Sequence, residues 1–221
     1  MTTFDVEAFR QRERSEGFPA YYNGWLHLAA SAAVMLGLCA WSFTQLQDVR
    51  AWEWGMLPLV ALLGNGAVFF IHRDLLHRRR RGARFAYYMH SDVHHRFFTY
   101  EHIVCQRVRD LHAVLFPVWV VVLVLGGINL VGWFLLQQLV SANCAWFLMF
   151  GSSAYFLTYE VFHTASHLRD GHPLLIFPPF RYMRAHHRLH HVPSRMRSEN
   201  FNIIYPLGDI LAGTFVREQD S

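Results

Sequence analysis

The chain has 221 residues, of which 53% are hydrophobic, 16% aromatic and only 16% charged, and its net charge is +4. The charged fraction is well below the roughly 25% of a soluble domain, whereas a mean hydropathy of +0.15 excludes a chain that is all membrane span. All twenty basic residues are arginine, and no nucleic-acid module accompanies them. A membrane surface is therefore their expected partner, and nucleic acid is not.

The first twenty residues form a charged arm without the apolar core of a signal peptide. Residues 25–46 then carry no formal charge and are long enough to cross a bilayer. After a short polar turn, 54–71 is a second apolar stretch that continues helically into His72, Arg73, Asp74, Leu75, Leu76 and His77. Residues 72–110 are rich in arginine and histidine and cannot span. From 111 to 163 the chain is apolar again, and Gly126, Gly127, Ile128 and Asn129 are the expected turn within it. This divides the stretch into spans near 112–126 and 131–167. A helix over 131–167 would be roughly 55 Å long against a hydrocarbon core of about 30 Å. Its end would carry Glu160, His163 and His167 into water. Gly64, Asn65 and Gly66 inside the second span predict either a close helix contact or a notch for an acyl chain.

The expected architecture is an all-α integral membrane domain over 1–221, with an arm at 1–20 and a core near 55–216. Four transmembrane helices form two hairpins under a cytosolic His-rich helical cap. The loops near 47–53 and 126–130 contain one arginine, Arg50, and the other nineteen lie elsewhere. The positive-inside rule then places both termini and the histidine motifs in the cytosol. Complete avoidance of lysine fits G+C-rich coding DNA and a bacterial inner membrane. Cys39, Cys105 and Cys144 are too few and too scattered for a disulfide framework or a zinc motif.

Fifteen histidines are the anomaly, and all but His27 lie between 72 and 191. Four constellations stand out: His72 with His77; His90 with His94 and His95; His163 with His167; and His187 with His190 and His191. Side chains three or four apart share a helix face, so His90 with His94, His163 with His167, and His187 with His190 and His191 are expected to point together. A doublet aims neighbouring rings about 100° apart, which lets one helix serve two ions. His72 and His77 would diverge by roughly 140° and reach opposite sides of a bimetallic site. His27, His102 and His172 read as packing or interfacial residues. Imidazole suits zinc, copper, iron and nickel alike. Structural zinc prefers sets containing cysteine, and none lies in these motifs. Ten imidazoles exceed one coordination sphere and argue for two ions.

In this order, beside two apolar hairpins, HX4H, HX3HH, HX3H and HX2HH resemble the fatty acid hydroxylase/sterol desaturase superfamily. Asn200, Phe201, Asn202, Pro206, Asp209, Gly213 and Thr214 are similar to that superfamily's closing stretch. By matching positions, the resemblance implies the metal ligands His72, His77, His90, His94, His95, His163, His167, His187, His190 and His191, with His186 an alternative to His187. Glu160 shares a stripe with His163 and His167 and is a candidate partner for a ligand ring. Asp74, Asp92 and Asp110 pair either with ligands or with arginines. The resemblance also implies two non-haem iron ions, with zinc an expected substitute in purified samples, and O2 as co-substrate. The activity implied is hydroxylation or desaturation of a lipid from the bilayer, with electrons from a separate ferredoxin or reductase. A carotenoid-ring hydroxylase is the alternative among enzymes. Outside enzymes, the alternatives are a metal transporter or sensor and a bis-histidine cytochrome.

Overall fold

Helix formation begins where Asp5 caps the first turn, its carboxylate accepting from the Ala8 N–H at 2.9 Å. The computed structural model describes residues 4–217; 1–3, at the start of the expected arm, and 218–221 lie outside them. Helix α1 (Val6–Arg12) runs into a π turn, Glu13–Gly17, and α2 follows at Gly24–Thr44. A 3-10 segment, Ala51–Gly55, leads into α3 (Met56–Ile71), which continues as a π turn over His72–Leu76. Then come α4 (Arg84–Tyr87), a π turn over Tyr88–His94, α5 (His95–Phe97) and a 3-10 segment, Val108–Ala113. Helix α6 (Val118–Val122) passes through a π turn, Leu123–Ile128, into α7 (Asn129–Leu139), and α8 spans Ala142–Ser166. The chain closes with α9 (Pro178–His190) and α10 (Leu207–Ala212). No strand occurs among the described residues.

Three segments are long and apolar enough to cross a membrane: Gly24–Thr44, Ala51–Leu76 and Val108–Leu139. The fourth expected span, α8, is not among them; Asn143, Ser152, Ser153, Thr158, Glu160 and His163 dilute its apolar character.

The turn expected at Gly126–Asn129 is not there. The two glycines are absorbed into the π turn, which keeps the helix running while bonding i to i+5. The chain reverses instead at Val140 and Ser141. Val140 leaves helical geometry (φ −129°, ψ −80°), and the Ser141 hydroxyl accepts from the Cys144 N–H at 3.1 Å, capping α8. The last long helix is therefore 25 residues, about 37 Å, rather than the longer rod expected over 131–167.

The chain divides into two compact units. Unit 1 comprises 1–24, 65–115 and 161–221; unit 2 comprises 25–64 and 116–160. In unit 2, Met35 packs with Val121 and Leu125 in a buried apolar cluster. Asn129 donates to Ser152 Oγ at 2.6 Å, and Trp133 meets Trp146 edge-on. A Cβ on Gly64 would lie 2.9 Å from the Tyr155 ring, so this glycine serves a close helix contact and not a notch. In unit 1, Phe9, Phe18, Val93, Phe97, Phe98, Ile103, Ala113 and Val114 form a buried core. Asn65 donates to the Tyr205 carbonyl at 2.7 Å and accepts from the Gly208 N–H at 3.3 Å, tying α3 to the C-terminal segment.

Candidate metal centre

All ten histidines singled out from the sequence lie in unit 1, and none is more than 8% exposed. They fall into three overlapping sets whose ring nitrogens lie within 4.8 Å of one another: His72, His77, His90, His95 and His190; His94, His163, His167 and His187; and His94, His95 and His191. The third set adjoins the other two through His95 and His94. Each doublet divides: His95 belongs with the first set and His94 with the second, while His190 joins the first and His191 sits between.

Three expectations about facing are corrected. His187 and His190, three apart on α9, do not serve one set: His187 is in the second and His190 in the first. The other two lie at π turns. His72 and His77 do not reach opposite sides; they share a set, with ring centroids 5.0 Å apart and nearly parallel. His90 and His94 do not serve one set; His90 pairs with His95, five residues on. One cause explains both. The helices are π-turned over His72–Leu76 and Tyr88–His94, and i→i+5 bonding brings residues five apart into register where an α-helix would bring four. His163 and His167, on the regular α8, keep the i, i+4 relation and share a set.

The hydrogen bonds define which nitrogen is free. Nδ1 of His190 donates to the Glu199 carbonyl at 2.7 Å, that of His94 to Ala113 at 2.7 Å, and that of His167 to Ile103 at 2.9 Å. His72 donates in the same way to Phe201, and His191 to Phe98. An Nδ1–H held by a carbonyl leaves Nε2 as a bare lone pair. Nε2 atoms also lie close together across the motifs: His72 and His90 at 2.8 Å, His77 and His190 at 2.9 Å, and His94 and His191 at 3.2 Å. His187 lies 3.0 Å from His191 and 3.3 Å from His167. His94 and His191, each with its Nδ1–H on a carbonyl, turn two lone pairs toward each other in a buried site, an arrangement that a cation between them would satisfy. Nitrogens about 2.1 Å from one ion and at right angles would lie about 3.0 Å apart, and the observed spacings match. The residues therefore fit a metal.

Electrostatics agree. Burial, together with the charges of neighbouring rings, pushes His77 down to about 2 and His94 down to about 4. His90, His95, His187, His190 and His191 are lowered well below the usual imidazole value, first by burial and then by neighbouring histidines. The rings are thus neutral at pH 7, the form that coordinates.

His186 is turned away from the sets. Its Nε2 lies 3.2 Å from Asp209 Oδ2, which leaves His187 as the ring facing the other nitrogens. Glu160 falls in unit 2, where its Oε1 accepts from the Phe116 N–H at 3.1 Å. His27 Nε2 lies 2.9 Å from the Phe116 carbonyl oxygen, and His172 accepts from the Leu174 N–H at 3.2 Å. His102 stays with Thr99. None of these three joins a set. The three aspartates beside the motifs all pair with arginine: Asp74 with Arg73 and Arg78, Asp92 with Arg79, and Asp110 with Arg14.

Sequence reasoning did not find the carbonyls that orient the rings, nor what holds those carbonyls. Asp209, fully buried, accepts from the Phe201 N–H at 2.8 Å, the Asn202 N–H at 2.7 Å and the Thr214 hydroxyl at 2.7 Å. The recognisable tail around Asn200, Phe201 and Asp209 was the available signal, and its role is to brace the backbone behind His72 and His190.

A family model described as Fatty acid hydroxylase matches residues 57–214, more than half of the chain. No curated protein and no solved structure matches it.

Proposed function

Since the chain belongs to the fatty acid hydroxylase family, we propose that it is a membrane-bound, O2-dependent hydroxylase or desaturase of a lipid chain whose ten clustered histidines hold two iron ions. The observation that carries this reading is the convergence of buried Nε2 atoms at 2.8–3.3 Å, with the Nδ1 sides of five rings committed to backbone carbonyls. His72, His77, His90, His95 and His190 would hold one ion, and His94, His163, His167 and His187 the other, with His191 between them. Iron held there would supply oxygen activation and oxidation of an unactivated C–H bond. The chain's own contribution is to orient the rings, to keep them neutral and to exclude water from them.

The apolar helices support a lipid substrate drawn from the bilayer. Four helices in two hairpins, α2 with α3 and the α6–α7 segment with α8, leave only Arg50 in the connecting turns. That asymmetry supports cytosolic termini and a cytosolic site. Electrons are proposed to come from a separate acidic carrier such as a ferredoxin. A groove of about 390 Å³ lined by His77, Arg78, Arg79, Tyr87 and Arg197 supports this, because it offers positive charge beside a proposed ligand.

The test is lipid profiling of cells with and without the intact gene, alongside iron analysis of the purified protein. A product heavier by one oxygen, or lighter by two hydrogens, is expected only with the gene, and about two iron ions per chain. Carotenoid substrates supplied beside acyl lipids distinguish the ring-hydroxylase alternative. Unchanged lipids and carotenoids, with metal flux following expression, would favour a transporter.

A further inference from the structure

The N-terminal arm precedes the family-matched segment, yet its side chains reach the backbone that orients the second histidine set. Residues 98–107 between α5 and the Val108–Ala113 segment carry no regular helix or strand, so the ladder that normally fixes carbonyl directions is missing. Carbonyls of 98–113 nevertheless take ring N–H groups from three histidines: Phe98 from His191, Ile103 from His167 and Ala113 from His94. A stretch that must aim three carbonyls, two of them on its irregular part, needs an external brace.

Arg10, on α1, supplies it. Its side chain is among the most buried of the chain, at 1% exposure. Nε donates to the Phe97 carbonyl at 2.7 Å, and Nη2 donates to the carbonyls of His102 and, at 3.3 Å, Val104. These acceptors are the chain neighbours of Phe98 and Ile103, the two carbonyls that hold His191 and His167. The guanidinium also lies 5.2 Å and 5.4 Å from the Phe97 and Phe98 ring centroids. About one turn further along the arm, Arg14 grips Asp110 with two bonds, Nε to Oδ1 at 2.7 Å and Nη2 to Oδ2 at 2.9 Å. Asp110 in turn accepts the N–H groups of Gln106 and Arg107 at 3.0 and 2.9 Å. Arg109 reciprocates, donating to the carbonyls of Arg14 and Pro19 at 3.2 and 2.8 Å. The carbonyls behind the first set, Glu199 and Phe201, belong to the C-terminal segment and have no part in this network.

We propose that the arm is a positioning element of the metal centre: Arg10 and Arg14 fix the 97–113 backbone so that its carbonyls orient His94, His167 and His191, and thereby set metal affinity at the second set alone. Burying a guanidinium is costly unless it is hydrogen-bonded, and a planar fork that bonds three separate carbonyls cannot be reproduced by lysine. The inference rests on the two-ion reading above.

The test titrates Co2+ into metal-free, detergent-purified protein, following the optical spectrum and the bound stoichiometry. Wild type is expected to bind two equivalents tightly. Arg10→Met should keep one at wild-type affinity and weaken the other about 10–100-fold, as losses of ring-orienting partners do; Arg10→Lys should fall between. Arg14→Gln, which leaves Arg10 in place, should weaken the same equivalent through Ala113. If Arg10→Met does not yield monodisperse, helical protein, Arg14→Gln carries the test. Two undisturbed equivalents in a folded variant overturn the proposal, and so does equal weakening of both. A wild type that binds one equivalent or none overturns the two-ion reading along with it, whereas two in wild type and two in the variants defeats only the role of the arm.

Discussion

Replacing Asp209 by asparagine tests how the C-terminal segment supports the first histidine set. The Asp209 carboxylate is fully buried and accepts four donors on two oxygens: Phe201 N–H and Thr214 hydroxyl on Oδ1, Asn202 N–H and His186 Nε2 on Oδ2. Asparagine keeps one oxygen and turns the other into an amide that faces donors. Two charge-assisted bonds are lost, each worth about 1.5–3 kcal/mol net, and buried N–H groups are left unpaired. A total of about 3–5 kcal/mol follows, the range seen when one partner of a buried charged network is removed. Phe201 would be released at its N–H while its carbonyl holds the His72 Nδ1–H. The loss should therefore appear twice: a thermal midpoint lower by about 10 °C, and weaker metal binding at the first set only.

The pH dependence of the same variant gives a sign. Burial alone would raise the Asp209 carboxyl, but His186, the backbone N–H groups and Thr214 outweigh it and hold the group below its usual value. A carboxyl lowered in the folded state contributes stability above its unfolded value of about 3.9 and loses it as pH falls through the folded value. The gap between wild type and Asp209→Asn should hold from pH 7 to 5 and close below about pH 4. Midpoints within about 2 °C at pH 7, with both metal equivalents unchanged, would refute the bracing argument.

Three further outcomes are expected. His94 lies in two of the three sets, so His94→Ala should abolish turnover and lower bound metal, while His27→Ala and His102→Ala should leave metal content unchanged by elemental analysis. Metal-free protein should lose stability as pH falls from about 6.5, where an unfolded imidazole takes its proton, towards 4, because the buried rings of His77, His90, His94 and His95 stay neutral when folded; a flat thermal midpoint over that window would contradict the burial argument. In a background without native cysteines, cysteines placed at Ala51 and Ser141 should label from outside intact cells and one at Gly82 should not, and the reverse pattern would invert the proposed topology.

What could be read from the chain alone divides along physical lines. Apolar runs and charge asymmetry are properties of windows, so two of the three long apolar helices fall where composition places them. The turn between the last two long helices is a local event, and Gly126–Gly127 was the stronger composition signal. A glycine pair inside an apolar helix can be carried by a π turn when the backbone stays bonded, whereas Ser141 ends the ambiguity only by capping Cys144. Within the charged arm, no window statistic distinguishes Arg10, buried against three carbonyls, from Arg12 two residues away, whose side chain is 57% exposed.

The histidines show the same division at finer scale. Their membership in one site was legible, because ten imidazoles in four motifs have little other use. Their partition was not, because it depends on helix type. Spacing of four was taken as the facing distance, and this holds on α8; but His72 with His77 and His90 with His95 face each other at five across π turns. A π turn here does what an α-helix cannot: it lets His90 and His95 serve one set while His94, between them, turns to the other. The doublets then follow from geometry. A helix that passes between two histidine sets needs adjacent rings pointing to different sides, and His94 with His95 and His190 with His191 supply them. Each ring is held by a backbone carbonyl more often than by a side chain, so the partners that set ring orientation carry no residue signature of their own. They become visible only through the groups that hold those carbonyls in place: Asp209 behind the first set, Arg10 and Arg14 behind the second.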